Sequence, residues 1–232
     1  MRRAAAGALV LAACAAGPDE PAGWPVVYEQ HFAEPRCVDA FATSDASSWR
    51  WSDAGGTPSL ELTGPGAYRP PFRSPRSLAL VPDLEVADFD LEVDLLQTGR
   101  DYGHRDLCVF FGFESPTRFY YVHLAPAPDA HAHNVFAVKD APRAALAPVA
   151  AQGVDWGRDA WHRVRVERRV GPGPVRVFWD GGDEPILTAI DTAFRWGRLG
   201  FGSFDDSGRI ARVFVRAPSV RPLSGPADPF RR

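Results

Sequence analysis

Short runs of alternating apolar and polar residues recur along the chain, and no long stretch carries a helical period. Residues 89–95 alternate strictly: Phe89, Leu91, Val93 and Leu95 fall on one face of a strand, and Asp90, Glu92 and Asp94 on the other. Residues 59–63 alternate too, and residues 161–168 set Val164 and Val166 against Arg163, Arg165 and Glu167. Residues 107–113 are nearly all apolar, which predicts a strand buried on both faces. Residues 119–124 and 134–139 predict a hairpin pair with a long polar connection. Further strands are expected over 26–29, 77–81, 175–180, 186–190, 199–203 and 210–216, with a turn at Asp180-Gly181-Gly182-Asp183. About a dozen such strands predict an all-β fold, a jelly-roll sandwich of two antiparallel sheets.

The 22 prolines and 21 glycines are scattered as punctuation between the apolar runs, with no repeat and no linker-like break. One domain over residues 26–217 follows, with a Pro-rich tail over 218–232 that is expected to fray. The 232 residues are 45% hydrophobic and 24% charged, enough for a sizeable core. A formal net charge of -3 argues against nucleic acid as partner.

The N-terminus adds a destination. Met1-Arg2-Arg3 is a short basic stretch, and residues 4–13 are apolar but too short to span a bilayer. Leu11-Ala12-Ala13-Cys14 resembles a lipoprotein signal box, whose cysteine is lipidated and becomes the new N-terminus. An ordinary cleaved signal peptide is the alternative. The expectation is a signal over 1–13, a tether over 14–25, and an exported chain whose one membrane attachment is a lipid on Cys14, in the periplasm or at the cell surface. Cys37 and Cys108 are then free to form a disulfide, although Cys108 lies in a strand that reads as buried, where a free thiol is equally expected.

From about residue 68 to 215 the chain resembles the concanavalin-A-like lectin/glucanase superfamily, in particular the laminin-G-like and three-keto-disaccharide-hydrolase-like domains of exported bacterial proteins. The likeness rests on Asp88-Phe89-Asp90-Leu91-Glu92-Val93, on Trp161-His162-Arg163-Val164-Arg165-Val166, on Val177-Phe178-Trp179-Asp180-Gly181, and on Leu199-Gly200-Phe201-Gly202-Ser203-Phe204-Asp205-Asp206 before the last strand. It implies the sandwich fold. Since the superfamily includes lectins, glucanases, lyases and interaction modules, it leaves activity to the site.

Three groups of residues are candidates for chemistry. Glu92-x-Asp94-x-x-Gln97 resembles the acid-x-acid-x-x-acid strand of laminarinase-type glycosidases, but Gln97 can neither give nor take a proton as a carboxyl would. A denser cluster comprises His104, Arg105, Asp106, Tyr121, His123, His131, His133, Asn134 and Arg143. Paired strands would bring these together as an open polar pocket for a sugar, with tyrosine faces for stacking and Arg, Asp and Asn for hydroxyls. The same residues also fit structural hydrogen bonding, or a transition metal on His131-x-His133. The third group is Asp205-Asp206, which reads either as an Asp-rich turn or as part of a structural Ca²⁺ site, with Glu29, Glu34 or Asp39 as distant further ligands. Among the seven tryptophans, Trp161 and Trp179 read as core, whereas Trp49, Trp51, Trp156 and Trp196 lie near turns where one is open to solvent. The function expected is carbohydrate binding by a tethered sandwich. The alternatives are a glycan-active hydrolase or lyase using the His/Arg/Tyr cluster, and a structural or protein-interaction module.

Overall fold

The computed structural model describes residues 23–171 and 173–231. Residues 1–13 and Cys14, with the signal and lipid attachment expected there, lie outside the described residues, as does most of the expected tether. The strands in chain order are β1 (Val26–Gln30), β2 (Ala42–Thr43), β3 (Trp49–Ser52), β4 (Ser59–Leu62), β5 (Ser77–Leu80), β6 (Glu85–Val86), β7 (Phe89–Gln97), β8 (Leu107–Ser115), β9 (Arg118–Leu124), β10 (Asn134–Lys139), β11 (Ala144–Ala145), β12 (Trp161–Arg168), β13 (Pro174–Trp179), β14 (Leu187–Ile190), β15 (Arg198–Ser203), β16 (Gly208–Arg216) and β17 (Val220–Arg221).

Two antiparallel sheets carry the fold. The first runs β14-β13-β12-β7-β16-β4-β3, with β1 also paired to β16; the second runs β11-β10-β9-β8-β15-β5-β2. The predicted alternation sets the packing. Phe89, Leu91, Val93 and Leu95 face inward with Val164, Val166, Val213 and Val215 from the first sheet, against Val109, Phe111, Tyr120 and Val122 from the second. The continuous apolar run on β8 has the predicted cause: its other face, with Cys108, Phe110 and Phe113, packs in a second buried cluster with Phe119, Tyr121 and Phe136. The second sheet is therefore covered on both faces.

That outer cover comes from irregular chain. Tyr68 and Phe72 pack on the second cluster from the segment between β4 and β5, and Phe230 packs on it from the C-terminus. The tail that was expected to fray is held instead. β17 pairs with β6, Glu85 accepts from the backbone N–H and the hydroxyl of Ser224 (2.9 and 2.7 Å) and from Arg221, and Arg198 donates to the Ala227 carbonyl (2.7 Å). Proline spacing shows that this segment cannot form a central strand. It does not show that aromatic and polar groups elsewhere are waiting for it.

Candidate functional site

The site begins where strands stop. β7 ends at Gln97, opposite Gly208 at the start of β16, while β12 begins opposite Leu96. β8 begins at Leu107 opposite the last residue of β9, and β10 begins at Asn134 opposite His123. The connections over residues 98–106, 125–133 and 146–160 therefore gather at one end of the sandwich. They are stitched together there by Ala127 N–H to the Gly103 carbonyl (2.8 Å), Val154 N–H to the Ala125 carbonyl (3.1 Å), and Arg105 Nη2 to the Gly157 carbonyl (3.0 Å). His104 Nε2 lies 3.0 Å from an Asp129 carboxylate oxygen across the same rim.

Between these loops lies a cleft of about 880 Å³, within the range of ligand sites and more than twice the size of two others of about 400 and 360 Å³. Its lining carries three arginines (Arg100, Arg105, Arg158) and three aspartates (Asp101, Asp155, Asp159), together with Gln97, Gln152 and the backbone of Gly99, Gly153 and Gly157. The opposing charges balance. Gly153 is required by close approach: a Cβ there would lie 2.1 Å from the Pro126 carbonyl oxygen.

Of the nine residues expected to form an open pocket, Arg105 alone lines this cleft. His104 and His131 are exposed on the surrounding loops, and Arg143 is half-buried. Asp106, Tyr121, His123, His133 and Asn134 are all buried. Most of the cluster does converge, but on the outer face of the second sheet beneath its irregular cover. Arg143 donates to the Tyr121 hydroxyl (3.0 Å), lies over the rings of Phe136 and Phe204, and is tied through its backbone to Arg73. The expectation of a surface-accessible pocket is corrected accordingly. Polar groups crowded in sequence find one another and the backbone, which satisfies most of them without any ligand, although His133 Nε2 and Arg105 Nε keep no partner. Asn134, for instance, bonds only the backbone of Ala147 and Pro148.

The hydrogen bonds also fix the imidazoles. His123 Nδ1 accepts from the His133 N–H (3.1 Å), so a neutral ring carries its proton on Nε2, which faces Asp106 at 3.6 Å. His133 Nδ1 accepts from the Ala125 N–H (3.4 Å). Asp106, Cys108 and His123 are close enough to share a metal ion. In that tautomer, however, the nitrogen facing the group is protonated and unfit as a ligand. His131 and His133 do not act as a pair, since one is exposed and the other sealed. Cys37 and Cys108 are both free thiols, and burial pushes the Cys108 thiol up, leaving it inert.

Asp106 accepts from the Ser203 hydroxyl (2.8 Å), the Phe204 N–H and the Cys108 thiol, and its own N–H donates to Asp206 (2.9 Å). Asp206 also accepts from the Tyr102 hydroxyl (2.7 Å), which anchors the 98–106 loop. Burial, with the Asp206 charge beside it, pushes Asp106 up to about 8, and burial raises Asp206 as well. Burial pushes His123 down to about 3 and His133 to about 4. The signs oppose each other. The histidines bind protons more readily when unfolded, so stability is lost as pH falls below about 6.5. Asp106 binds its proton more readily when folded, so stability declines as pH rises from about 4 to about 8. Above about pH 6.5 both histidines are neutral whether folded or unfolded, so the carboxyl effect is unopposed and the melting temperature is expected to fall from there toward pH 8. Asp106→Asn should flatten the decline toward pH 8; an unchanged decline, measured by thermal melts across pH, would show that Asp106 is ionised in the fold.

The acid-x-acid-x-x-Gln strand does not form a catalytic face. Glu92 and Asp94 point outward from the first sheet, where Arg216 bonds Glu92 (3.1 Å) and Arg163 grips Asp94 through two bonds (2.8 and 3.3 Å). Gln97 has the parity of the core residues and falls on the other face. For calcium, carboxylate oxygens of Asp106, Asp205 and Asp206 do lie within 4.8 Å of one another. Asp205, though, is exposed and paired with Arg76 (3.0 Å), and Asp206 holds Tyr102 and the Asp106 amide. Glu29 sits opposite Phe214, toward the far end of β16 from Gly208, and contributes nothing there. The tryptophans near turns give no exposed platform: Trp156 is fully buried behind the cleft wall, Trp49 is buried, and Trp51 and Trp196 are half-buried.

Sequence reasoning passed over Arg100, Asp101, Asp155, Arg158 and Asp159. Their signal was Gly-Asp-Arg punctuation in two inter-strand loops, Gly99-Arg100-Asp101 and Asp155-Trp156-Gly157-Arg158-Asp159, a composition that marks turns as often as sites.

This architecture, two antiparallel sheets with loops gathered at one end, is the concanavalin-A-like lectin/glucanase fold. The chain is similar to carbohydrate-binding module CBM66 from Bacillus subtilis (16% identity, 77% of this chain and 96% of that one, TM-score 0.54). It is similar to a Bacillus subtilis protein of unknown function with a galectin-like fold (13% identity, 82% and 95%, TM-score 0.57). It is also similar to winged bean acidic lectin complexed with methyl-α-D-galactose (12% identity, 84% and 100%, TM-score 0.54). No protein-family model and no curated protein matches the sequence.

Proposed function

We propose that the chain is a carbohydrate-binding sandwich whose ligand lies in the loop-end cleft, and that it works outside the cytoplasm on a lipid attached at Cys14. The observation that carries the binding reading is the cleft itself: a concave, polar, backbone-rich space in which three arginines offset three aspartates. Sugar hydroxyls both give and accept hydrogen bonds, and this mixed lining suits them. The charge balance favours a neutral glycan over an acidic one. Two of the similar structures support the reading by what they are, a carbohydrate-binding module and a lectin holding a galactoside. Retention without cleavage is expected, because Glu92 and Asp94 are held by arginines. The carboxyls at Asp205 and Asp206 serve the loops, with or without calcium.

Affinity electrophoresis of the mature protein through laminarin, arabinan, galactan, dextran and polygalacturonate tests this. Retardation in at least one neutral polysaccharide with no shortened products is the expected result. Retardation in polygalacturonate alone, or in none, contradicts it. For the anchor, Cys14→Ser is expected to move the protein from the membrane fraction to the soluble one; fractionation identical to wild type would place the attachment elsewhere.

A further inference from the structure

Along β7 the core-facing parity is kept by Phe89, Leu91, Val93 and Leu95, all apolar and all fully buried. The next position of that parity is Gln97. It is as buried as its neighbours, at 3% exposure, yet neither its amide nitrogen nor its amide oxygen has a hydrogen-bond partner. A glutamine held this way costs stability, and an apolar residue of the same shape would fit the face better. Gln97 also lines the loop-end cleft, at the point where strand gives way to loop. The Gly99 backbone closes over it on the loop side: a Cβ there would lie 2.8 Å from Gln97 Nε2 and 2.9 Å from Asp206 Oδ1. A second unpaired buried atom, Arg105 Nε, belongs to a residue of the same lining.

We infer that Gln97 is a specificity-determining residue of the cleft, kept polar because a ligand hydroxyl pair completes its amide. This rests on the carbohydrate reading above and deepens it. A carboxamide presents a donor and an acceptor side by side, which matches two neighbouring hydroxyls of a neutral sugar, whereas a carboxylate ligand would leave the amide oxygen unmatched.

The test uses Gln97→Leu and Gln97→Met, scored by melting temperature and by affinity electrophoresis in whichever of the five polysaccharides retards wild type. Both variants are expected to melt at or above the wild-type temperature and to bind roughly tenfold more weakly or worse, the loss of one well-placed hydrogen-bonding group. Unchanged retardation in both variants overturns the inference and leaves the carbohydrate reading standing. So does a melting temperature several degrees lower in both, which would mean that the amide is paired in the free protein. If wild type itself is not retarded in any of the five, the carbohydrate reading fails and this inference falls with it.

Discussion

Replacing Arg105 with Ala is expected to weaken retention on a bound polysaccharide by roughly ten- to a hundredfold, equivalent to one charge-assisted hydrogen bond. Arg105 is 7% exposed. Its Nη2 donates to the Gly157 carbonyl at 3.0 Å, and the guanidinium lies 3.5 Å from the Asp101 carboxylate. The Asp101 pair contributes little, because that carboxylate is largely in water. The bond to Gly157 is the important one: it ties the 98–106 loop to the 151–159 loop and so sets the width of the cleft. The fold does not depend on it, since both loops keep their backbone bonds to the 125–133 connection. A fall in melting temperature of only a few degrees should accompany the loss of binding. Retention equal to wild type, measured beside an unchanged melting curve, would remove Arg105 from the site.

Gly202→Ala is expected to have the opposite profile, a large loss of stability from a single methyl group. A Cβ at Gly202 would lie 1.8 Å from the Ser77 carbonyl oxygen and 3.1 Å from the Phe110 ring. Ser77 is in β5, directly paired with β15, so neither backbone can move without opening the ladder between them. The ring of Phe110 blocks escape on the other side, within the second buried cluster. A cost of about 3 kcal/mol or more follows, or roughly 6–12 °C in melting temperature for a domain of this size. Gly171→Ala makes the control, because nothing lies within 4 Å of the added methyl. Equal melting temperatures for the two variants would mean that the β5–β15 approach is looser than described.

These two residues also mark what the sequence discloses. The strand pattern around Gly202 is legible, because period-2 alternation is the direct imprint of a half-buried sheet. β7, β12 and β16 fall within two residues of where their apolar positions place them. The cover over the second sheet is not legible. Residues 63–76 and the C-terminal tail have no period, and their burial depends on where the topology carries them. For the same reason the sequence shows that the His-Tyr-Arg residues are close in the chain but not how deeply they are buried. Strand pairing brings Tyr121, His123 and Asn134 together, but Tyr121 and His123 are packed against Phe204, distant in sequence, and Arg143 beside them is tied to Arg73. The cleft is the converse case. Its walls are three loops that share no motif, and proximity in space, set by where β7, β9 and β12 end or begin, is all that unites them.

The central claim is that ligand enters between those loops. A titration of ¹⁵N-labelled protein with an oligosaccharide of the retained glycan, followed by amide chemical shifts, tests it most directly. The account predicts the largest shifts at residues 97–105 and 153–159, with the side-chain amide of Gln97 among them. Shifts centred instead on Asp94, Trp161 and Arg163, on the open face of the first sheet, would contradict it.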